Sequence, residues 1–170
     1  MRRRVAGLRI AILLCAAFSA DATAAREAHR SPCTDAAVSS VRRCVSRFQD
    51  LAEAATRDNR PLEAIETYDG AMTLLEACDI SDEGGTADDL GRLVATLFET
   101  KQHSVIRQVL HRADLDHALF FMLAQVSRMV GMSADAFSDL ADRGSAEAVR
   151  VLLPRFDAAT SGEGKPGEGK

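Results

Sequence analysis

The apolar residues of this chain recur at intervals of three and four, and no stretch shows the period of two that a half-buried strand requires. Ala37, Val41, Cys44, Val45, Phe48, Leu51, Ala52 and Ala55 mark one face of a long helix. Leu62, Ala64, Ile65, Tyr68, Ala71, Met72, Leu75 and Cys78 mark a second. Leu90, Leu93, Val94 and Leu97 predict a third, and Val105, Ile106, Val109 and Leu110 a fourth. The segment ALFFMLAQVSRMV is apolar nearly all round, which predicts a central fifth helix. SADAFSDLADRG and SAEAVRVLLPRF complete the series. Alanine and leucine supply most of the apolar content, and alanine loses no side-chain entropy in a helix. The expected fold class is all-α, with about seven helices arranged as antiparallel hairpins.

Punctuation between these runs supports the count. Ser31 and Pro32 read as an N-cap followed by proline at the first helical position. Asn59 is expected to cap the second helix, with Pro61 in its first turn. Thr86 with Asp89 three residues on forms a capping-box pattern. Residues 100–103 are a polar break, and Asp114 or Asp116 can open the fifth helix, which Gly131 closes. Ser133 and Ser145 are expected to cap the last two, and Pro154 to bend or end the seventh. With 170 residues, one domain over residues 31–157 is the expected organisation.

Both ends read differently. Residues 1–25 hold Arg2, Arg3, Arg4 and Arg9, then an unbroken apolar run over residues 10–18 and a small-residue segment, the layout of a secretory signal. The run is about half the roughly 20 residues that span a bilayer, so no permanent membrane span is expected. This predicts a periplasmic or secreted protein, with a mitochondrial presequence as the alternative. Residues 158–170, with GEGK twice and nothing apolar to bury, predict a disordered tail. The whole chain has a formal charge of −4. Residues 1–25 carry four Arg and one Asp, so removing them leaves about −7. An acidic chain without a long basic run does not favour nucleic acid. Arg42, Arg43 and Arg47 read as a solvated helix face.

Past that segment three cysteines remain, Cys33, Cys44 and Cys78. A helix that already included Cys33 would separate it from Cys44 by three turns, roughly 16 Å, too far to bond. A turn at residues 57–60 places Cys44 opposite about residue 75, so a Cys44–Cys78 bridge is expected, with Cys33 left over. The alternative is three small buried thiols without a bond.

Phe48, Leu51, Ala52 and Ala55, followed by Ala64, Tyr68 and Ala71, resemble one tetratricopeptide repeat, in which small residues sit where paired helices touch. Ala55 replaces the family's usual aromatic, and Glu76 stands where a proline commonly ends the unit. A second unit keeps the spacing through Leu90, Leu93, Val94 and Leu97, then Ile106, Leu110 and Ala113. Its Val94 and Ile106 are bulky where the family is small. A third is suggested by Phe120, Leu123 and Ala124, then Ala136 and Leu140. ADRGSAEAVRVLL also resembles the helices of an ankyrin repeat, without that family's Thr-Pro-Leu-His turn. The tetratricopeptide resemblance implies a short α-solenoid that binds a protein or peptide along the inner face of each first helix. Carried over by position, the binding residues are Ser46, Gln49, Glu53 and Thr56. Members that grip a C-terminal carboxylate use Lys and Asn where this chain has Gln49 and Glu53, which favours polar or basic segments instead. A binding face of this kind is expected to be dispensable for melting.

No glycine-bracketed serine or partnered Cys–His pair appears, and Gly84-Gly85 lacks the lysine of a phosphate loop. Asp88 and Asp89 beside a helix start are explained by the helix dipole. Residues 79–84 resemble the start of a calcium loop, but Leu90 stands where a bidentate Glu is required. The expectation is a non-enzymatic binding protein with no cofactor or metal. Two alternatives stand beside it: a small metal protein or enzyme using HRADLDH between His111 and His117, and a self-associating envelope component.

Overall fold

Thr34 opens the first helix, its hydroxyl accepting a hydrogen bond from the Ala37 N–H at 3.3 Å, with Asp35 in the first turn. The computed structural model describes residues 33–161. These form seven helices and no strand: α1 Asp35–Arg57, α2 Pro61–Ala77, α3 Thr86–Glu99, α4 His103–Leu110, α5 Asp116–Met129, α6 Ala134–Ala141 and α7 Ser145–Ser161. The all-α class is therefore as expected. The signal segment over residues 1–25, the Ser31–Pro32 cap and residues 162–170 lie outside the described residues.

Four helices end by one device. Asn59, Asp79, Lys101 and Gly131 adopt left-handed φ values of 55°, 54°, 54° and 73°. The next amide then reaches back five residues: Arg60 to the Ala55 carbonyl, Ile80 to Leu75, Gln102 to Leu97 and Met132 to Ser127, at 2.8–2.9 Å. Each satisfies a carbonyl that the helix end would leave orphaned. Asn59 thus closes α1 instead of capping α2, whose N-cap is Arg60 with no side-chain bond. Gly131 and the Ser133 cap, which accepts from the Ala136 N–H at 3.3 Å, are as expected.

The other starts depart from the sequence pattern because partners come from elsewhere. No Thr86–Asp89 box forms: Thr86 is the first residue of α3 and wholly buried. The Asp82 carboxylate accepts from the Thr86 and Ala87 amides at 3.0 and 2.8 Å, and its charge suits the positive end of the helix. Neither Asp114 nor Asp116 caps α5; Asp69 of α2 reaches across and accepts from the Ala118 N–H at 2.8 Å. Ser145 lies inside α7, where the Ala148 amide bonds the Gly144 carbonyl at 3.1 Å. Pro154 neither ends nor shortens α7, which runs on to Ser161. Leu152 and Phe156, on either side of it, are fully buried, and that packing offsets the lost amide bond. Residues 158–161 are consequently helical, beyond the expected boundary at 157.

The bridge is also different. Cys33 and Cys78 are bonded, with an S–S distance of 2.06 Å and Cα atoms 5.4 Å apart, and Cys44 lies outside the bridge, half-buried on α1. The expected Cys44–Cys78 pairing rested on the turn at residues 57–60, which sets Cys44 opposite about residue 75, but it is Cys33 that reaches Cys78. Because α1 starts after it, Cys33 sits at the open end of the hairpin, beside the C-cap of α2.

Small residues line the α1–α2 contact as expected: Ala52, Ala55, Ala64 and Ala71 are all buried, and Tyr68 is 4% exposed. Val45, Phe48, Ala71 and Leu75 form a satellite cluster there. The main core gathers around α5, which packs against α2, α3, α4 and α7, as its composition foretold. Phe120 of the third suggested unit is half-exposed, and Ala113 and Ala136 are exposed, so those three take no part in the core.

Candidate functional site

The residues nominated on α1 occupy one face, but they do different things. Ser46, Glu53 and Thr56 are exposed. Ser46 and Thr56 donate to the Arg42 and Ala52 carbonyls one turn back, at 3.1 and 2.9 Å, and Glu53 pairs with Arg57 at 3.5 Å. Gln49 is half-buried, and its amide donates to the Gly84 carbonyl at 3.0 Å and to the Thr86 hydroxyl at 3.1 Å. Arg42 pairs with Glu83 of the same loop at 2.9 Å and holds the Glu83 carboxyl below the usual range. A β-carbon on Gly84 would lie 3.1 Å from the Gln49 amide nitrogen, tighter than an ordinary contact, so Gln49 would have to shift by a few tenths of an ångström. Gln49 and Arg42 thus clasp α1 to the α2–α3 loop.

The HRADLDH segment is a joint between helices. Arg112 makes a two-pronged contact with Asp114 at 2.7 Å and a third bond to Glu66 of α2 at 2.9 Å, and its guanidinium holds the Asp114 carboxyl below its ordinary range. His117 lies 3.5 Å from Glu76, while His111 is exposed. Among the described residues no three His, Cys, Asp or Glu side chains come together in a way that could hold a metal ion. Asp69, beside this joint, is 4% exposed, and burial raises its carboxyl pKa against the opposing pull of the Ala118 N–H and His117.

A concave site opens on another side, between α3, α5 and the start of α6. It is a groove of about 700 Å³. Ala87, Gly91 and Ala95 of α3 form one wall, spaced a turn apart so that no large side chain fills it. Phe120, Phe121 and Ala124 of α5 form the other, with Phe137 of α6 closing one side. Gly91 stands mid-helix, where glycine costs about 1 kcal/mol relative to alanine. A β-carbon there would meet the Phe121 ring at 3.4 Å. Phe120 packs edge-on against Phe121 at 6.1 Å and tilted against Phe137 at 6.0 Å, yet remains 52% exposed. Asp88, Arg92, Gln125 and Arg128 supply the polar lining.

The repeat pattern places Phe120 among the packing positions of the third suggested unit, on a helix expected to be central. Two signals pointed elsewhere. Successive residues on a helix differ by 100°, so Leu119, Phe120 and Phe121 cannot all face one core. An interior glycine on α3 also had no local justification. The groove is suited to binding an apolar side chain. No family model matches the chain, and no curated protein or solved structure matches it.

Proposed function

We propose that this chain is a non-catalytic helical binding protein, periplasmic or secreted, that takes a protein or peptide segment into the groove between α3, α5 and α6. The observation that carries the reading is Phe120: a large aromatic, half-exposed, standing over a concave apolar surface with two further phenylalanines. A concave surface lined mainly by apolar side chains with a few polar groups among them is the usual form of a binding site. The tetratricopeptide-like reading of the hairpins supports it, because α3 and α5 are the first helices of the second and third pairs. The Cys33–Cys78 bridge supports an oxidising compartment, since such bonds persist outside the reducing cytosol. No described helix is long and apolar enough to cross a membrane.

The test is a pull-down from the native envelope with the parent, Phe120→Ala, and Glu53→Ala combined with Thr56→Ala. Phe120→Ala should lose the partner without lowering the melting temperature. Loss with the Glu53 and Thr56 changes, and retention with Phe120→Ala, would move the site to α1.

A further inference from the structure

We infer that α6 is a lid on the groove, which swings open as a unit while α3 and α5 stay packed. The observation that carries the inference is how little holds α6. It has eight residues, as α4 does, yet α4 buries Ile106, Val109 and Leu110 whereas α6 buries Leu140 alone. Its main packing partner is α7. Among the described residues no hydrogen bond or ion pair joins a side chain of α6 to another helix. Toward α5 it offers the tilted contact of half-buried Phe137 with half-exposed Phe120. A helix this short does not hold itself in water, so its place depends on that thin packing. Elements with few buried apolar contacts open locally, at a lower free energy than the whole fold. The connections on either side permit a swing. Residues 130–133 and 142–144 each contain a left-handed glycine, Gly131 at φ 73° and Gly144 at φ 97°. A β-carbon on either would meet nothing within 4 Å, so no neighbour wedges these turns, and glycine admits the backbone changes of a hinge. The Met132 N–H, bonded to the Ser127 carbonyl, keeps the first pivot attached to α5. Ser127 also lines the groove and is only 3% exposed with α6 in place. Opening deepens the groove toward Ser127 and widens it past Phe137, so the lid sets the size of side chain admitted. That consequence rests on the groove being the binding site; the motion itself does not.

Native-state hydrogen exchange on the full chain tests the motion. The hydrogen-bonded amides of α6 should be protected at least about tenfold less than those of α4. Their opening should barely respond to low denaturant, the mark of a small surface exposed. A chain carrying Cys44→Ser and Ser127→Cys gives the second reading, because a methanethiosulfonate reaches that thiol only through an opening. The opening that labelling reports should match that of α6 and not that of the α5 core amides. Leu140→Ala should raise both α6 exchange and labelling at least about tenfold, with the α5 amides less affected. Phe137→Ala, which spares the buried anchor, should move both in the same direction and decides the matter if Leu140→Ala does not fold. Protection of α6 equal to that of α4, or one denaturant-sensitive opening shared by α6 and α5, overturns the lid. So does labelling that proceeds only with the α5 core, since α6 would then fray without uncovering the groove. Retention of the partner by Phe120→Ala would sink the groove reading and leave the lid standing, so the two failures are seen separately.

Discussion

Asp69 is a carboxylate removed from water and given a backbone N–H in return. Burial raises its pKa in the folded protein, so folding favours its protonated form relative to the unfolded chain. Its contribution to stability is therefore fully present below the unfolded carboxylate value of about 4 and is lost as pH rises through the raised folded value. Asp69→Asn keeps an acceptor for the Ala118 amide and removes the charge. The variant should melt higher than the parent at pH 7, and the gap should close as pH falls toward 4. A lower melting temperature at pH 7 would show that the α5 dipole and His117 outweigh burial. Gln49 is the second residue whose duty the contacts define. Gln49→Ala removes two bonds to the α2–α3 loop and should cost about 1–2 kcal/mol in denaturant titration. Glu53→Ala, which removes only an exposed pair with Arg57, should cost less than about 0.5 kcal/mol. Comparable losses from both would contradict the clasp.

At the scale of the element, the α1–α2 hairpin depends on its closure. α1 has α2 as its packing partner, and its outer half rests on the small cluster around Phe48 and Leu75. The Cys33–Cys78 bridge spans 45 residues of sequence, so on the loop-entropy account it should stabilise the fold by roughly 4 kcal/mol. Cys33→Ser should lower the melting temperature strongly and make it insensitive to reductant. Cys44→Ser should retain the reductant-sensitive transition, and unreduced peptide mapping should join the Cys33 and Cys78 peptides. Recovery of a Cys44–Cys78 peptide would refute the pairing.

Across the whole molecule, α5 is both hub and wall. Ala118, Met122 and Val126 are fully buried against the neighbouring helices, while Phe120 and Met129 face out. Stability and binding should therefore separate on different faces of one helix, and Gly91 on the opposing wall tests this. Gly91→Ala gains up to about 1 kcal/mol of helix propensity and places a β-carbon at 3.4 Å from Phe121. It should melt at or above the parent temperature and weaken capture of the partner in the pull-down. Unchanged affinity would mean that the α3 wall is not part of the docking surface.

How much of this was legible in the chain follows from the range of each interaction. Helix number, the apolar faces, the centrality of α5, the Ser133 cap and the Gly131 stop depend on residues within about a turn of one another, so periodicity and capping chemistry reveal them. The burial of Tyr68, Ala64 and Ala71 follows from the same spacing. The interactions that escaped join residues far apart in sequence. Asp69 caps a helix 49 positions away, and Gln49 bonds a hydroxyl 37 away. Cys33 finds Cys78 because α1 begins only at Asp35, which leaves Cys33 outside the helix and beside the end of α2. Phe120 became a wall and not a core residue because α3 offers alanine and glycine opposite it, leaving space that no other described helix fills. Local pattern determined which segments are helices and which of their faces seek cover. Tertiary structure decided which polar groups complete the helix ends and which apolar face stays open, because both depend on what the fold brings alongside.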